Sequence, residues 1–241
     1  MFRPLAKRFG PDQPFLGVRV EASDWTHLPA PFRFEDIADV FIQKIRAYQP
    51  EGPYYLGGFC LTGLVAYEVA RQLIASGQEV KLLVLFYSQN PAFFARSTRR
   101  AELRLQYELT KFHMARLARL RRREFVNYAK ERFEGAVSKL RSAKGATDLK
   151  RQFLPELEEI GAAAARDYHP GQSAVRTVLF RPAEDPQGRY WDIQYNWKRY
   201  VTAPLDVHFI PGDHSSMFRE PYVEVLAKQM MRYLDDELVT A

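Results

Sequence analysis

A nearly continuous apolar run, Val80-Lys-Leu-Leu-Val-Leu-Phe86, constrains this chain more than any other feature. It has no polar face to turn toward water, so a strand built from it must be covered on both sides. That is the condition of a parallel sheet held between helices. The surrounding pattern agrees. Phe34, Ile37, Phe41, Ile45 and Tyr48 recur at three- and four-residue steps, which predicts a helix over 34–49 stopped by Pro50. Residues 53–59 read as a short buried strand, and 61–76 as a helix ended by Gly77. Further strands are expected at 14–20, 174–180 and 204–210, and a last helix over about 217–238. Strands alternating with helices give an α/β architecture with a mostly parallel sheet flanked by helices.

Composition bounds the rest. With 241 residues, one domain plus an insertion is expected. At 46% apolar and 14% aromatic, the chain is too hydrophobic to be disordered. A single cysteine allows no intrachain disulfide and no cysteine-rich metal site, which fits a reducing compartment. The longest apolar stretch, Leu82–Tyr87, falls far short of the ~20 residues of a membrane helix. The start, Met-Phe-Arg-Pro, has no apolar signal core, so a cytoplasmic location is expected.

The chemistry concentrates in two places. In Tyr55-Leu-Gly-Gly-Phe-Cys60-Leu-Thr-Gly63 a strand ends, a sharp turn presents Cys60, and a helix begins at once. Small residues around such a turn let the strand and helix backbones approach, and they leave the nucleophile at a helix N-terminus. The usual pattern is G-x-S-x-G. Here Thr62 takes the second glycine position and Gly63 follows it. Late in the chain, Phe209-Ile-Pro-Gly-Asp-His214 delivers a histidine on a loop after a strand, the position of the base in a nucleophile–acid–base order. His27, His113, His169 and His208 have no partners at metal-ligand spacing and read as structural or surface residues.

These features, with Phe2-Arg-Pro-Leu-Ala, Gly10-Pro-Asp-Gln-Pro, Gly52-Pro-Tyr-Tyr-Leu-Gly-Gly, Ala66-Tyr-Glu-Val-Ala-Arg-Gln-Leu73 and Pro211-Gly-Asp-His-Ser-Ser-Met-Phe-Arg-Glu-Pro221, extend over nearly the whole chain. Together they resemble the thioesterase domains of nonribosomal peptide synthetases and polyketide synthases. The resemblance implies an α/β-hydrolase fold spanning 1–241 as one domain, with a helical lid inserted at 92–166. It also implies release of an acyl or peptidyl chain from a carrier protein, by hydrolysis or cyclisation. The acyl chain arrives on the carrier's phosphopantetheine, so no cofactor of the chain's own is expected, and no metal. Cys60 would attack the thioester, His214 would serve as base and then acid, and the Leu61 N–H would hold the oxyanion.

Three departures from the family pattern bear on that expectation. Cys60 replaces the usual serine, and its acyl form would still be an activated thioester. Tyr87 stands where the family's aspartate is expected, and a tyrosine brings no charge at neutral pH. Asp185, or less favourably Glu184, on the loop after the next strand is the alternative acid. Finally, the family's first strand and glycine-containing oxyanion loop have no match, so those elements are expected to be missing. A catalytically impaired module that binds carrier protein or acyl chains is the alternative reading.

The formal charge of +6 is uneven. Residues 96–144 carry 15 Lys/Arg against 5 Asp/Glu, while the remainder carries 20 basic against 24 acidic residues. A solvated helical face accounts for this most simply. Docking of an acidic carrier protein is the functional reading. Nucleic-acid binding through Arg119-Leu-Arg-Arg-Arg123 ranks last, for want of any recognition motif.

Overall fold

The computed structural model describes residues 1–11, 13–26, 28, 32–90, 161, 163–184, 194–214 and 216–239, with Leu103, Tyr107, Thr110, Lys111 and Met114. The chain divides into two compact units, Met1–Arg96 with Glu158–Ala241, and Ser97–Leu157. Of the second unit only the five isolated positions are described, all helical, with Leu103, Tyr107 and Met114 exposed. The expected lid at 92–166 therefore lies mostly outside the described residues.

Among the described residues, the first unit holds four parallel strands in the order β1-β2-β3-β4: β1 Tyr54–Phe59, β2 Val80–Phe86, β3 Thr177–Pro182 and β4 Leu205–Ile210. The apolar run predicted to be doubly covered forms β2, between β1 and β3. Leu82, Leu83, Val84, Leu85 and Phe86 are all buried. Register pairs Phe59 with Phe86, Phe86 with Phe180, and Phe180 with His208, so the strands finish near one level. Their carboxyl ends bring 60, 87, 184 and 214 to one side, the usual place for a site in a parallel sheet.

Among the described residues, four α-helices have both ends defined: α1 Arg3–Ala6, α2 Phe34–Tyr48, α3 Leu61–Ala75 and α4 Tyr222–Val239. α3 packs against β1, β2 and α2, while α4 meets β4 and α1. Gly63 through Ala70 are all buried, so α3 is enclosed rather than amphipathic. It therefore needs internal partners for its polar groups. Glu68, fully buried, receives two hydrogen bonds from Arg71 at 2.7 and 2.6 Å and one from Gln72 at 2.9 Å, and the Tyr168 hydroxyl donates to it as well. The Tyr67 hydroxyl lies 2.9 Å from the carbonyl oxygens of both Gly171 and Tyr200 and donates to one of them at a time. These bonds tie the segment before β3, and Tyr200 between β3 and β4, onto α3.

Three expectations shift. Residues 14–20 join no strand, because Leu16 and Val18 face solvent and Phe15 turns into a ring cluster with Phe2 and Phe9. Tyr48, assigned to the buried face of α2, is 72% exposed; the buried residues of that helix are Phe34, Ile37, Ala38 and Val40. The last helix starts at Tyr222 rather than Met217, since 216–221 form turns that carry the chain away from the histidine loop. No described helix is long and apolar enough to cross a membrane.

Candidate active site

The turn between β1 and α3 is held in a conformation that side chains rarely adopt. Cys60 has φ 52° and ψ −122°, outside the ordinary allowed regions, a state that costs about 1–3 kcal/mol and persists only where neighbours enforce it. Those neighbours are present. The Cys60 N–H donates to the Phe86 carbonyl at 3.0 Å, extending the β1–β2 ladder by one residue. The Cys60 carbonyl accepts from the Gly63 N–H at 3.1 Å and from the Ser88 hydroxyl at 2.9 Å. One residue back, the Thr62 hydroxyl accepts from the Phe59 N–H at 2.9 Å and donates to the Phe59 carbonyl at 2.8 Å.

Two glycines make the approach possible. A Cβ on Gly58 would stand 2.2 Å from the Thr62 carbonyl oxygen, and one on Gly63 would stand 2.4 Å from the Ser88 hydroxyl. The glycine that the usual pattern places at 62 is thus displaced by one residue. Thr62 instead contributes a hydroxyl that locks the turn. The resulting geometry leaves Cys60 half-buried at the head of α3. Leu61 follows as the first helical residue, where a backbone N–H has no carbonyl of its own helix to bond. A helix-head N–H of this kind is the donor type that an oxyanion site draws on.

His214 arrives on the loop after β4. Its turn is closed by Asp213, whose carboxylate accepts from the Ser216 N–H at 2.9 Å and from the Ser216 hydroxyl at 2.8 Å. Asp213 is therefore engaged in shaping the loop. The imidazole stacks on the Phe59 ring, centroids 5.6 Å apart at 29°, and lies 5.3 Å from the Tyr87 ring. Phe59 immediately precedes Cys60, so His214 and the Cys60 turn meet through this ring. Tyr87 is buried at the end of β2, with φ 46°. Its ring also faces Tyr195, which stacks on the buried Arg181 guanidinium at 3.8 Å.

The alternative acid positions divide. Glu184 is exposed, and its N–H donates to the Gly212 carbonyl at 3.0 Å, so the chain leaving β3 runs beside the histidine loop. Asp185 lies outside the described residues. Ser88 and Phe59 were not singled out by sequence reasoning. Each sits next to a residue that was, Tyr87 and Cys60, and that adjacency is the signal that could have found them.

A family model described as "Thioesterase domain" matches residues 1–231. Polyketide synthase PksR of Bacillus subtilis (strain 168) is 34% identical over 214 residues, covering 86% of this chain and 8% of that protein. Chondramide synthase cmdD of Chondromyces crocatus is 26% identical over 253 residues, covering 97% of the chain and 6% of that protein. The chain thus spans less than a tenth of these relatives. Among solved structures, RedJ, the thioesterase from the prodiginine pathway of Streptomyces coelicolor, superposes with a TM-score of 0.60 at 19% identity, covering 96% of this chain and 84% of that one. The NocB thioesterase domain in covalent complex with a fluorophosphonate nocardicin G analogue gives 0.54 at 24%, covering 87% and 77%.

Proposed function

The chain belongs to the thioesterase domain family, and from that premise we propose that it releases an acyl or peptidyl chain from a carrier-protein thioester through an acyl-cysteine intermediate. The observation that carries this reading is the strained Cys60 backbone at the head of α3, with the His214 ring stacked on the residue before it. Cys60 Sγ attacks the thioester carbonyl, His214 takes the thiol proton and returns it to the leaving phosphopantetheine thiol, and the Leu61 N–H receives the developing oxyanion. Phosphopantetheine arrives with the substrate. The acidic carrier is steered by the basic stretch at 96–144, an attraction that weakens with salt. Water or an internal nucleophile of the bound chain then completes release.

A second reading is favoured by Tyr87. A phenol at the end of β2 gives the imidazolium no charge support, as a module that binds carrier or acyl chain without turnover would tolerate. One experiment separates the two. A carrier protein bearing acyl-phosphopantetheine is incubated with wild type, Cys60→Ala and His214→Ala, and the carrier is followed by mass. Loss of the acyl group with wild type alone supports the enzyme. Carrier binding with the acyl group retained by all three supports the binding module.

A further inference from the structure

The last strand, β4, lies at a margin of the described sheet. Two bonds fix which way its backbone faces. The Thr177 N–H donates to the Pro204 carbonyl at 3.0 Å, and the Ala183 N–H donates to the Ile210 carbonyl at 2.8 Å. In a parallel ladder the groups turned toward one neighbour belong to alternate residues. The even-numbered residues of β4 therefore face β3, while Leu205, Val207 and Phe209 turn their N–H and C=O groups outward. Among the described residues, no hydrogen bond reaches these outward groups. The other margin differs, because in β1 the Phe59 N–H is already held by the Thr62 hydroxyl. A row of alternating donors and acceptors at strand spacing is matched by a second extended chain.

The side chains indicate which chain. Leu205-Asp-Val-His-Phe-Ile210 contains no lysine, proline or glycine to blunt the edge. Leu205, Val207 and Phe209 share a face with their ladder partners Thr177, Leu179 and Arg181. None of the three is fully buried, and Phe209 is 50% exposed. Asp206 and His208 lie on the opposite face, where His208 Nε2 meets the Tyr233 hydroxyl of α4 and its ring packs on Phe180. A carboxylate on an edge ordinarily opposes pairing. Here the strand carries its own answer. Laid antiparallel on a copy of itself with Val207 opposite Val207, it sets Leu205 opposite Phe209 and Asp206 opposite His208. Apolar side chains then meet apolar ones, and each carboxylate meets an imidazole. A Tyr233 hydroxyl that donates to Nε2 leaves the ring hydrogen on Nδ1, a donor for the facing carboxylate. Register is specified too, because sliding the copy by two residues opposes Asp206 to Asp206 in one direction and to Ile210 in the other.

We infer that two copies of this chain associate edge to edge through β4, antiparallel about a twofold axis at Val207, joining their four-stranded sheets into one. The facing pairs 205–209, 207–207 and 209–205 exchange about six backbone hydrogen bonds. The association does not depend on the reading of Cys60 as nucleophile. Antiparallel pairing points the carboxyl ends of the two sets of strands apart, so the two Cys60 turns lie at opposite ends of the joint sheet. A strand-wide contact is at the small end of specific interfaces, so the dimer is expected to form with rising concentration rather than to be permanent.

The test is sedimentation of the full chain from about 1 to 200 µM, with amide hydrogen exchange read over β4 at both ends of that range. The average mass is expected to climb from one chain toward two. The amides of Leu205, Val207 and Phe209 are expected to exchange about 10-fold more slowly at the higher concentration. Val207→Pro removes an outward N–H and no ladder bond, a change that edge strands accept, and it is expected to stay a single chain. Asp206→Lys keeps every backbone group and sets a cation against the facing imidazole, and it is expected to weaken association about 10-fold or more. Melting temperature shows whether each variant is folded, and Asp206→Lys decides the matter if Val207→Pro is not. A wild type that remains one chain throughout overturns the inference. So does a dimer that the folded variants retain, or one whose β4 amides exchange alike at both concentrations.

Discussion

At the scale of single residues, the site depends on keeping Cys60 in a backbone state it would leave if its neighbours let go. Ser88 is the least obvious of these, since its hydroxyl bonds the Cys60 carbonyl from the segment that follows β2. Ser88→Ala removes one hydrogen bond, a loss of about 1 kcal/mol in stability. Its larger expected effect is on reactivity: acylation of Cys60 slows several-fold while thermal unfolding barely moves. Rapid-mixing mass measurements check this, and an unchanged acylation rate with an equally stable protein would contradict it. The positions of Cys60, His214 and the displaced glycine were legible because each has a fixed place in a strand–turn–helix or strand–loop pattern. Ser88 and Phe59 were not, because their roles arise from hydrogen bonding and stacking between segments far apart in the sequence. Tyr87 was legible as a departure from the family pattern; its packing beside the His214 ring was not.

At the scale of elements, periodicity succeeded where burial is uniform and failed where it is partial. The run Val80–Phe86 was read to the residue because a doubly covered strand has no other arrangement. Residues 14–20 have strand-like composition but meet no ladder, so Leu16 and Val18 stay in solvent. The enclosed helix α3 adds an element-level dependence on Glu68. Among the described residues, its buried carboxylate is satisfied by Arg71, Gln72 and Tyr168 acting together. Arg71→Ala leaves that charge short of its main partner, and destabilisation of about 3–5 kcal/mol is expected. Chemical denaturation checks the value. A loss below about 1 kcal/mol would show the pair behaving like an exposed surface bridge, contrary to its burial. Leu83→Ala, in the fully covered strand, is expected to cost about 2–5 kcal/mol by the same measurement.

At the scale of the whole molecule, the polar groups that join α3 to the returning segment make the fold sensitive to alkali. Burial first, and then the neighbouring Glu68 carboxylate, raise the Tyr168 hydroxyl well above the ordinary tyrosine range, and the same two causes act on Tyr67. A group whose folded pKa lies above its unfolded value of about 10 contributes stability that is complete below pH 10 and lost as pH rises further. Melting temperature should therefore hold steady to about pH 10 and then fall. Tyr168→Phe should melt lower at pH 8 but fall less steeply beyond pH 10, and an equally steep fall would contradict the assignment. The central claim concerns one atom, and it is tested most directly by mass. Wild-type protein mixed with an acyl thioester and quenched within seconds is predicted to carry one acyl group, mapped by peptide analysis to Cys60 and absent from Cys60→Ala. A folded protein that gains no acyl group at Cys60 would contradict the account.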